Sequence, residues 1–372
     1  MSPINNRPDA DRLLPIKGLC YVPAPSDDQP SPPQKYFDTD FTNDSFSLIW
    51  GKDHNGRGDL ATIAQDLHVN LLHLYDWSVP PAPGSAPGPY QRNHRPFLDG
   101  CAAVGLRVFV PISNYFVGLV AQNNPDVAGQ IQAMVREIYG GGTTPHAAAG
   151  LWSIGNEYDL AQGLGITADT IAQTAALIVQ AEDQLGIPSA QRLPITSPVS
   201  FAVFNNLPPA IDAVQRLQQA FQNNSTLSAT QCWDTRFIAA LNSFNTGDFL
   251  KEYIDTTFPH YFPALPFFLG EMGISVQNCT PPTEEQQATF VAAQLAQTAP
   301  RANFMGTCVF QFLNQSALKQ GSEAAFGLTK YAGGQQTQGT IPPGYTPGGG
   351  QSYPVDTLAR KPLFATVAKA YQ

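Results

Sequence analysis

Short apolar runs alternate along the chain with stretches in which apolar residues recur every three to four positions. Read as strands, the runs are Lys17–Val22, Val69–Tyr75, Leu106–Ile112, Leu151–Gly155, Leu193–Ser197, Phe237–Ser243, Phe267–Gly270 and Met305–Phe312. Most are bounded by Gly, Pro or Asn and are too short for helices, which is the mark of buried strands. Between them the spacing predicts helices over Asp59–His68, Arg95–Val104, Asp126–Tyr139, Thr167–Leu185, Pro209–Phe221, Asp248–Phe258, Thr283–Thr298 and Lys361–Tyr371. Thr167-Ala-Asp before one helix and Gly186 after it are start and stop chemistry, and Glu284 and Glu285 place acid in the first turn of another.

Eight strand–helix alternations predict an α/β fold of the (β/α)8 TIM-barrel type, since eight parallel strands close a barrel. An open doubly wound sheet would carry a Gly-rich phosphate loop after its first strand, whereas the first run here leads into Tyr21-Val-Pro-Ala-Pro25. No repeat or linker divides the chain. The expectation is a single catalytic domain over 1–372, with a barrel core from about residue 17 and an N-terminal extension over 1–16. Long stretches at 23–58, 78–95 and 314–358 follow the first, second and eighth runs and read as loops. All three fall on the C-terminal face, where active sites of such barrels lie.

Composition narrows the partners. The chain has 372 residues, 43% hydrophobic and only 13% charged, with 33 Pro and 31 Gly, enough apolar content for a large core under many ordered loops. Net charge is −9, without a basic cluster, which argues against nucleic acid or anionic membrane as partner. No apolar run is long enough for a membrane span. With Met1 as the true start, the N-terminus lacks an apolar leader and a cytoplasmic location is expected; a leader already removed would mean secretion. The five cysteines (Cys20, Cys101, Cys232, Cys279, Cys308) are scattered and odd in number, and read as buried thiols. Six histidines show no HxH or HExxH spacing. No metal, cofactor or obligate partner chain is expected. His73 alternates with apolar residues and reads as a hydrogen-bonded barrel residue, and Arg236, at the start of the sixth strand, as structural.

Two segments carry chemistry: Trp152-Ser-Ile-Gly-Asn-Glu157 at the end of the fourth strand, and Phe267-Phe-Leu-Gly-Glu271 at the end of the seventh. Strands three apart in a ring of eight face each other across the mouth. Cleavage of a glycosidic bond needs such a pair: one carboxylic acid protonates the leaving oxygen, and a carboxylate on the other face of the sugar attacks the anomeric carbon. A gap of about 5–5.5 Å gives retention and about 6.5–9.5 Å inversion. Glu157 is the expected acid/base, because Asn156 beside it would then bind the neighbouring sugar hydroxyl, and Glu271 the expected nucleophile.

These residues carry a resemblance. Asn156-Glu157 and Gly270-Glu271-Met-Gly273 resemble the strand-four and strand-seven signatures of clan A glycoside hydrolases. Within that clan the chain is most similar to the β-1,3-glucanosyltransferases of cell walls, and next to the plant-type β-1,3-glucanases. The similarity runs over roughly residues 17–330, through Gly18–Tyr21, Asn70–Tyr75, Arg92–His94, Gly105–Phe109, Ala240–Asn242 and Phe326–Leu328. It implies Glu157 as proton donor, Glu271 as nucleophile, retention of configuration, and a β-glucan substrate with possible transfer to a second sugar. The chain departs from the pattern at Phe244, where the transferases carry an aromatic hydroxyl that touches the nucleophile, in its cysteines, and in lacking a cysteine-rich module.

Other strand ends supply candidate sugar contacts. Tyr21 ends the first strand. Tyr75, Asp76 and Trp77 end the second; Tyr75 is either core or cleft, while Asp76 and Trp77 fall at the rim. Asn114 and Tyr115 end the third. Tyr158 and Asp159 either line the cleft or begin a loop helix. Asn242 and Phe244 end the sixth strand, and Gln311 and Phe312 the eighth, where Phe310 or Phe312 would form an aromatic platform. Two other function classes fit the sequence less well. A catalytically silent barrel that binds glycans or a protein would not need both Glu residues. An aldolase-like or isomerase-like barrel would need a Schiff-base Lys or metal ligands at strand ends, and Lys is absent from all eight C-terminal ends. The expected partner is an oligosaccharide or polysaccharide, and the expected state a monomer.

Overall fold

The computed structural model describes residues 13–25, 42, 47–76, 93–315, 321–340 and 350–372. Nine parallel strands form one sheet: β1 (Ile16–Cys20), β2 (Leu71–His73), β3 (Arg107–Ile112), β4 (Ala149–Ile154), β5 (Ile195–Thr196), β6 (Pro198–Ser200), β7 (Ala239–Ser243), β8 (Phe267–Met272) and β9 (Phe304–Val309). Their order is β5-β4-β3-β2-β1-β9-β8-β7-β6. β5 and β6 are two halves of the fifth predicted run: β5 pairs with β4 and β6 with β7. Pro198 lacks the N–H that would continue the ladder. The ends of the sheet therefore meet on one stave, a bridge between Ile195 and Phe237 joins them at the base, and the result is a (β/α)8 TIM barrel.

Side-chain alternation sorts each strand into two layers. Leu71, Phe109, Leu151, Ile238, Ala240, Phe268 and Met305 fill the barrel interior. Leu72, Val108, Val110, Trp152, Ile154, Leu241 and Leu269 point outward and pack with the helices. Phe109 and Phe268 meet edge to face at 5.5 Å in the interior.

The helices form where their punctuation predicts. Thr167 caps Ala168–Gln184, exchanging hydrogen bonds with Thr170, and Thr283 caps Glu284–Gln297. Val127–Tyr139 stops at Gly140, whose φ of +58° suits a residue without a Cβ. At the barrel base Arg236 donates to both carboxylate oxygens of Glu182, at 2.7 and 3.0 Å, the structural role expected of it. The five cysteines are all buried. Among the described residues no helix is long and apolar enough to cross a membrane.

Two elements differ from expectation. Asn114–Ala121 is a helix directly after β3; its sequence NYFVGLVA is almost wholly apolar, so no polar face marks a period. The stretch read as one loop after the eighth strand contains an antiparallel hairpin, β10 (Thr329–Thr340) and β11 (Ser352–Arg360). Its Gly and Gln content hides the alternation, and the pairing slips between Tyr331 and Gln336. Arg57 ties the hairpin down, donating to Asp59 and to Asp356 of β11 at 2.8 Å in a buried cluster.

Candidate active site

The C-terminal end of β8 contains one residue more than its neighbours require. Leu241 pairs with Leu269, but Asn242 pairs with Glu271, so Gly270 is a bulge. The bulge resets alternation. Phe268 faces inward and Leu269 outward; the extra Gly270 then lets Glu271 face inward and Met272 return to the outer core. Were Gly270 an ordinary pleated residue of the ladder, Glu271 would share the outward face of Phe267 and Leu269. Glycine suits the place, because a Cβ there would lie 2.8 Å from Asn242 Oδ1.

The end of β4 uses a turn instead. Gly155 has φ +62° and Glu157 φ +52°. The left-handed region costs a side-chain-bearing residue about 1–2 kcal/mol, and such strain clusters at functional sites. Three contacts hold the turn. Gly155 N–H donates to Ile112 O at 2.7 Å and Glu157 N–H to Pro198 O at 2.8 Å. The Asn114 carboxamide donates to Asn156 O and accepts from Asn156 N–H, both at 2.9 Å.

Glu157 and Glu271 line one cleft of ≈ 350 Å³ at the barrel mouth, together with Asn156, Tyr75, Phe244 and Gln311. The Asn242 amide donates to Asn156 Oδ1 and to Glu157 Oε1, each at 3.1 Å. Tyr75 donates its hydroxyl to Glu271 Oε1 at 2.8 Å. Burial, reinforced by the nearby Cys20 and Glu271, pushes the Tyr75 phenol well above its usual range, so it remains a donor. Phe244 is 39% exposed and packs on Phe310 and Phe326, with ring centroids 5.9 and 5.3 Å away, as an aromatic wall. Gln311 is buried, and its amide nitrogen has no hydrogen-bond partner among the described residues. Among those residues no group of His, Cys, Asp and Glu is arranged to hold a metal ion.

The structure thus brings Glu157, Glu271, Asn156, Tyr75, Phe244 and Gln311 together, with Asn242 and Asn114 directly behind them. Other expected contacts fall elsewhere. Tyr21 and Phe312 lie in the outer layer, edge to face at 5.7 Å, and Tyr21 donates to Asp59 at 2.9 Å. Phe310, on the inward face, is the strand-eight aromatic that reaches the cleft. Tyr158 is buried and donates to Ala213 O at 2.7 Å. With Asp159 it borders a separate surface groove of ≈ 500 Å³ against the helix Ile211–Asn223. Tyr115 packs edge to face on Phe116 inside the unexpected helix. Asp76 is half-buried, off the cleft lining, and Trp77 lies outside the described residues. Reading the strands missed Val22, Gln315 and Glu323 in the cleft wall. The last two sit in the loop after β9, where no periodicity marks a direction.

No protein-family model matches the chain, and no curated protein sequence matches it. Its fold is similar to that of a GH2 β-galacturonidase from Eisenbergiella tayi, 15% identical with a TM-score of 0.53 over 96% of this chain and 51% of that one. This chain therefore spans about half the length of that enzyme. It is also similar to CJP38, a β-1,3-glucanase and allergen of Cryptomeria japonica pollen, 14% identical with a TM-score of 0.52 over 84% of this chain and 95% of that one. At these identities the likeness speaks for the barrel fold alone.

Proposed function

We propose that the protein is a retaining glycoside hydrolase or transglycosylase acting on β-linked, glucan-type oligosaccharides. The observation that carries this reading is the shared cleft: two carboxylates from strands three staves apart, each bonded to a neutral donor, Asn242 at Glu157 and Tyr75 at Glu271. Solved barrels of similar fold include enzymes that cleave β-galacturonides and β-1,3-glucans, which agrees with it.

In the first step a Glu271 oxygen attacks the anomeric carbon, the glycosidic C–O bond breaks, and Glu157 gives its proton to the departing oxygen. In the second, Glu157 takes a proton from water or an acceptor hydroxyl. That oxygen bonds to the anomeric carbon, and the Glu271 carboxylate is released. Hydrolysis and transfer differ only in the acceptor. Phe244 offers a face for a sugar ring, Gln311 a donor for a sugar hydroxyl, and Asn156 a contact beside the scissile bond.

A panel of β-1,3-, β-1,4- and β-1,6-gluco-oligosaccharides, with mass analysis of products, is the direct test. Turnover of at least one is expected, with Glu157→Gln and Glu271→Gln each losing about 10⁴-fold or more while sugar binding persists. Products longer than the substrate would assign transfer. Wild-type activity in either Gln variant would end the reading.

A further inference from the structure

We propose that Tyr75 is a positioning residue for the Glu271 nucleophile, holding its carboxylate from β2 on the far side of the neighbouring β1 and β9 strands. The inference rests on the reading of Glu271 as nucleophile and adds a group from a strand that is not its neighbour. In the sheet order β2 and β8 are separated by β1 and β9, so the 2.8 Å bond from Tyr75 to Glu271 Oε1 crosses the mouth instead of following the ladder.

The phenol is held by stacking. Leu71, His73 and Tyr75 share one face of the strand by alternation. The Tyr75 ring lies 4.5 Å from His73 at 26°, and His73 lies 4.5 Å from Phe109 at 30°. A three-ring column of this kind fixes both torsions of the tyrosine. The same column grips the residue before the nucleophile: His73 Nδ1–H donates to the carbonyl of bulged Gly270 at 2.9 Å, and the Cys20 thiol donates to the same oxygen at 3.4 Å. β2 thus fixes the bulge through His73 and the carboxylate through Tyr75. The bulge points Glu271 inward, and the hydroxyl then selects how its carboxylate plane lies.

The chemistry assigns an oxygen to each task. With Oε1 receiving the Tyr75 hydrogen bond, Oε2 forms the bond to the anomeric carbon as the glycosidic C–O bond breaks and the Glu157 proton moves to the leaving oxygen. In the glycosyl-enzyme Oε1 becomes the carbonyl oxygen of the ester. Tyr75 still donates to it, retaining its own proton, and so favours departure of the carboxylate in the second step.

Tyr75→Phe keeps the ring stack and removes only the donor. Assayed on the gluco-oligosaccharide that the wild type turns over fastest, it should lower kcat about 10- to 100-fold, as loss of a hydrogen bond to a charged group does. KM should stay within about threefold, and the thermal midpoint should fall by only a few degrees. The acid limb of kcat/KM should move to higher pH, because an ionised Glu271 loses a donor. The other titratable groups around it (Glu157, Glu323, His73, Cys20 and Cys308) are unaltered by the substitution. Glu271→Gln, measured alongside, separates the two ways to fail. A dead Glu271→Gln with a wild-type Tyr75→Phe overturns the role of Tyr75 alone. An active Glu271→Gln overturns the nucleophile reading itself. A Tyr75→Phe defect confined to KM would make Tyr75 a substrate contact and would also overturn the proposal.

Discussion

Glu157 and Glu271 reach the same cleft by opposite devices. Glu157 lies beyond β4 in a left-handed turn, strained and held through its backbone by Pro198 and by Asn114 acting on its neighbour. Glu271 lies within β8, and the bulge at Gly270 sets it on the inward face that regular pleating of this sequence would deny it. A turn fixes a side chain less closely than a strand does, which would suit the proton transfer proposed for Glu157. A strand with a bulge holds direction, which suits in-line attack on a single carbon. The supporting groups follow the same division. Amides of Asn114 and Asn242 serve the turn, and a packed column of rings serves the strand.

The sharpest way to probe the strand side is acid. Burial holds His73 at a pKa of about 4, with the bond to Gly270 O opposing only in part. Its unfolded value is near 6.5. The folded pKa is the lower one, so the stability it contributes is complete above about pH 6.5 and is lost as pH falls through 4. Across that interval the unfolded chain takes up a proton that the folded barrel refuses. The shift corresponds to about 3 kcal/mol. Denaturant unfolding between pH 7 and 4 should show that loss, and His73→Asn, which keeps a donor for Gly270 without titrating, should flatten it. His94 and His146 pair with Glu137 and Asp99 and are common to both proteins, so the difference between the two curves isolates His73. Parallel curves would show that the column does not exclude the proton.

On the turn side the decisive group is Asn242. Asn242→Ala removes the donor shared by Asn156 and Glu157. A lost hydrogen bond to a charged group is worth about 2 kcal/mol, or roughly 30-fold in kcat/KM on an oligosaccharide. With a dinitrophenyl glycoside, whose phenolate departs without help from an acid, the loss should shrink to a few-fold, because Asn242 serves the proton donor. The Tyr75→Phe loss should persist on that substrate, because nucleophilic attack is needed either way. Equal losses of Asn242→Ala on both substrates would erase the division between the two seats.

The barrel and both carboxylates were legible because they rest on coarse signals. Eight punctuated apolar runs are a matter of period, and Glu157 and Glu271 each follow a run directly. The directions of individual side chains were not legible, because each depends on counting residues through irregular strand ends. A bulge at Gly270 keeps Glu271 inward, plain alternation sends Tyr21 outward into the helix layer, and a break in alternation between Phe310 and Phe312 sends Phe312 there too. Position at a strand end treats Tyr21 and Tyr75 alike; the structure gives one to Asp59 and the other to Glu271. Phe244 shows the same limit from the other side. It lacks the hydroxyl that resemblance assigns to that position, yet it is exposed in the cleft as a ring face, and the hydroxyl near Glu271 comes from β2. The hairpin is not legible in the sequence because the twelve residues of β10 include two adjacent glycines and a slipped register.

The smallest effect tests that lesson most cleanly, because it predicts silence in activity. Tyr158 follows Glu157 directly and by sequence position belongs to the cleft, yet its hydroxyl is committed to Ala213 O on the helix Ile211–Asn223. Burial raises its pKa, with Asp159 adding to the effect, so it stays neutral and acts as a donor to the helix. Tyr158→Phe leaves Ala213 O without that donor, which costs about 1 kcal/mol of stability and nothing at the anomeric carbon. The expected outcome is a thermal midpoint lower by about 2 °C for a chain of this size, with kcat and KM at wild-type values. A tenfold fall in kcat at unchanged stability would mean that the phenol turns toward the sugar, and that proximity to Glu157 along the chain decides more than the turn and the bond to Ala213 that here place Tyr158 in the outer layer.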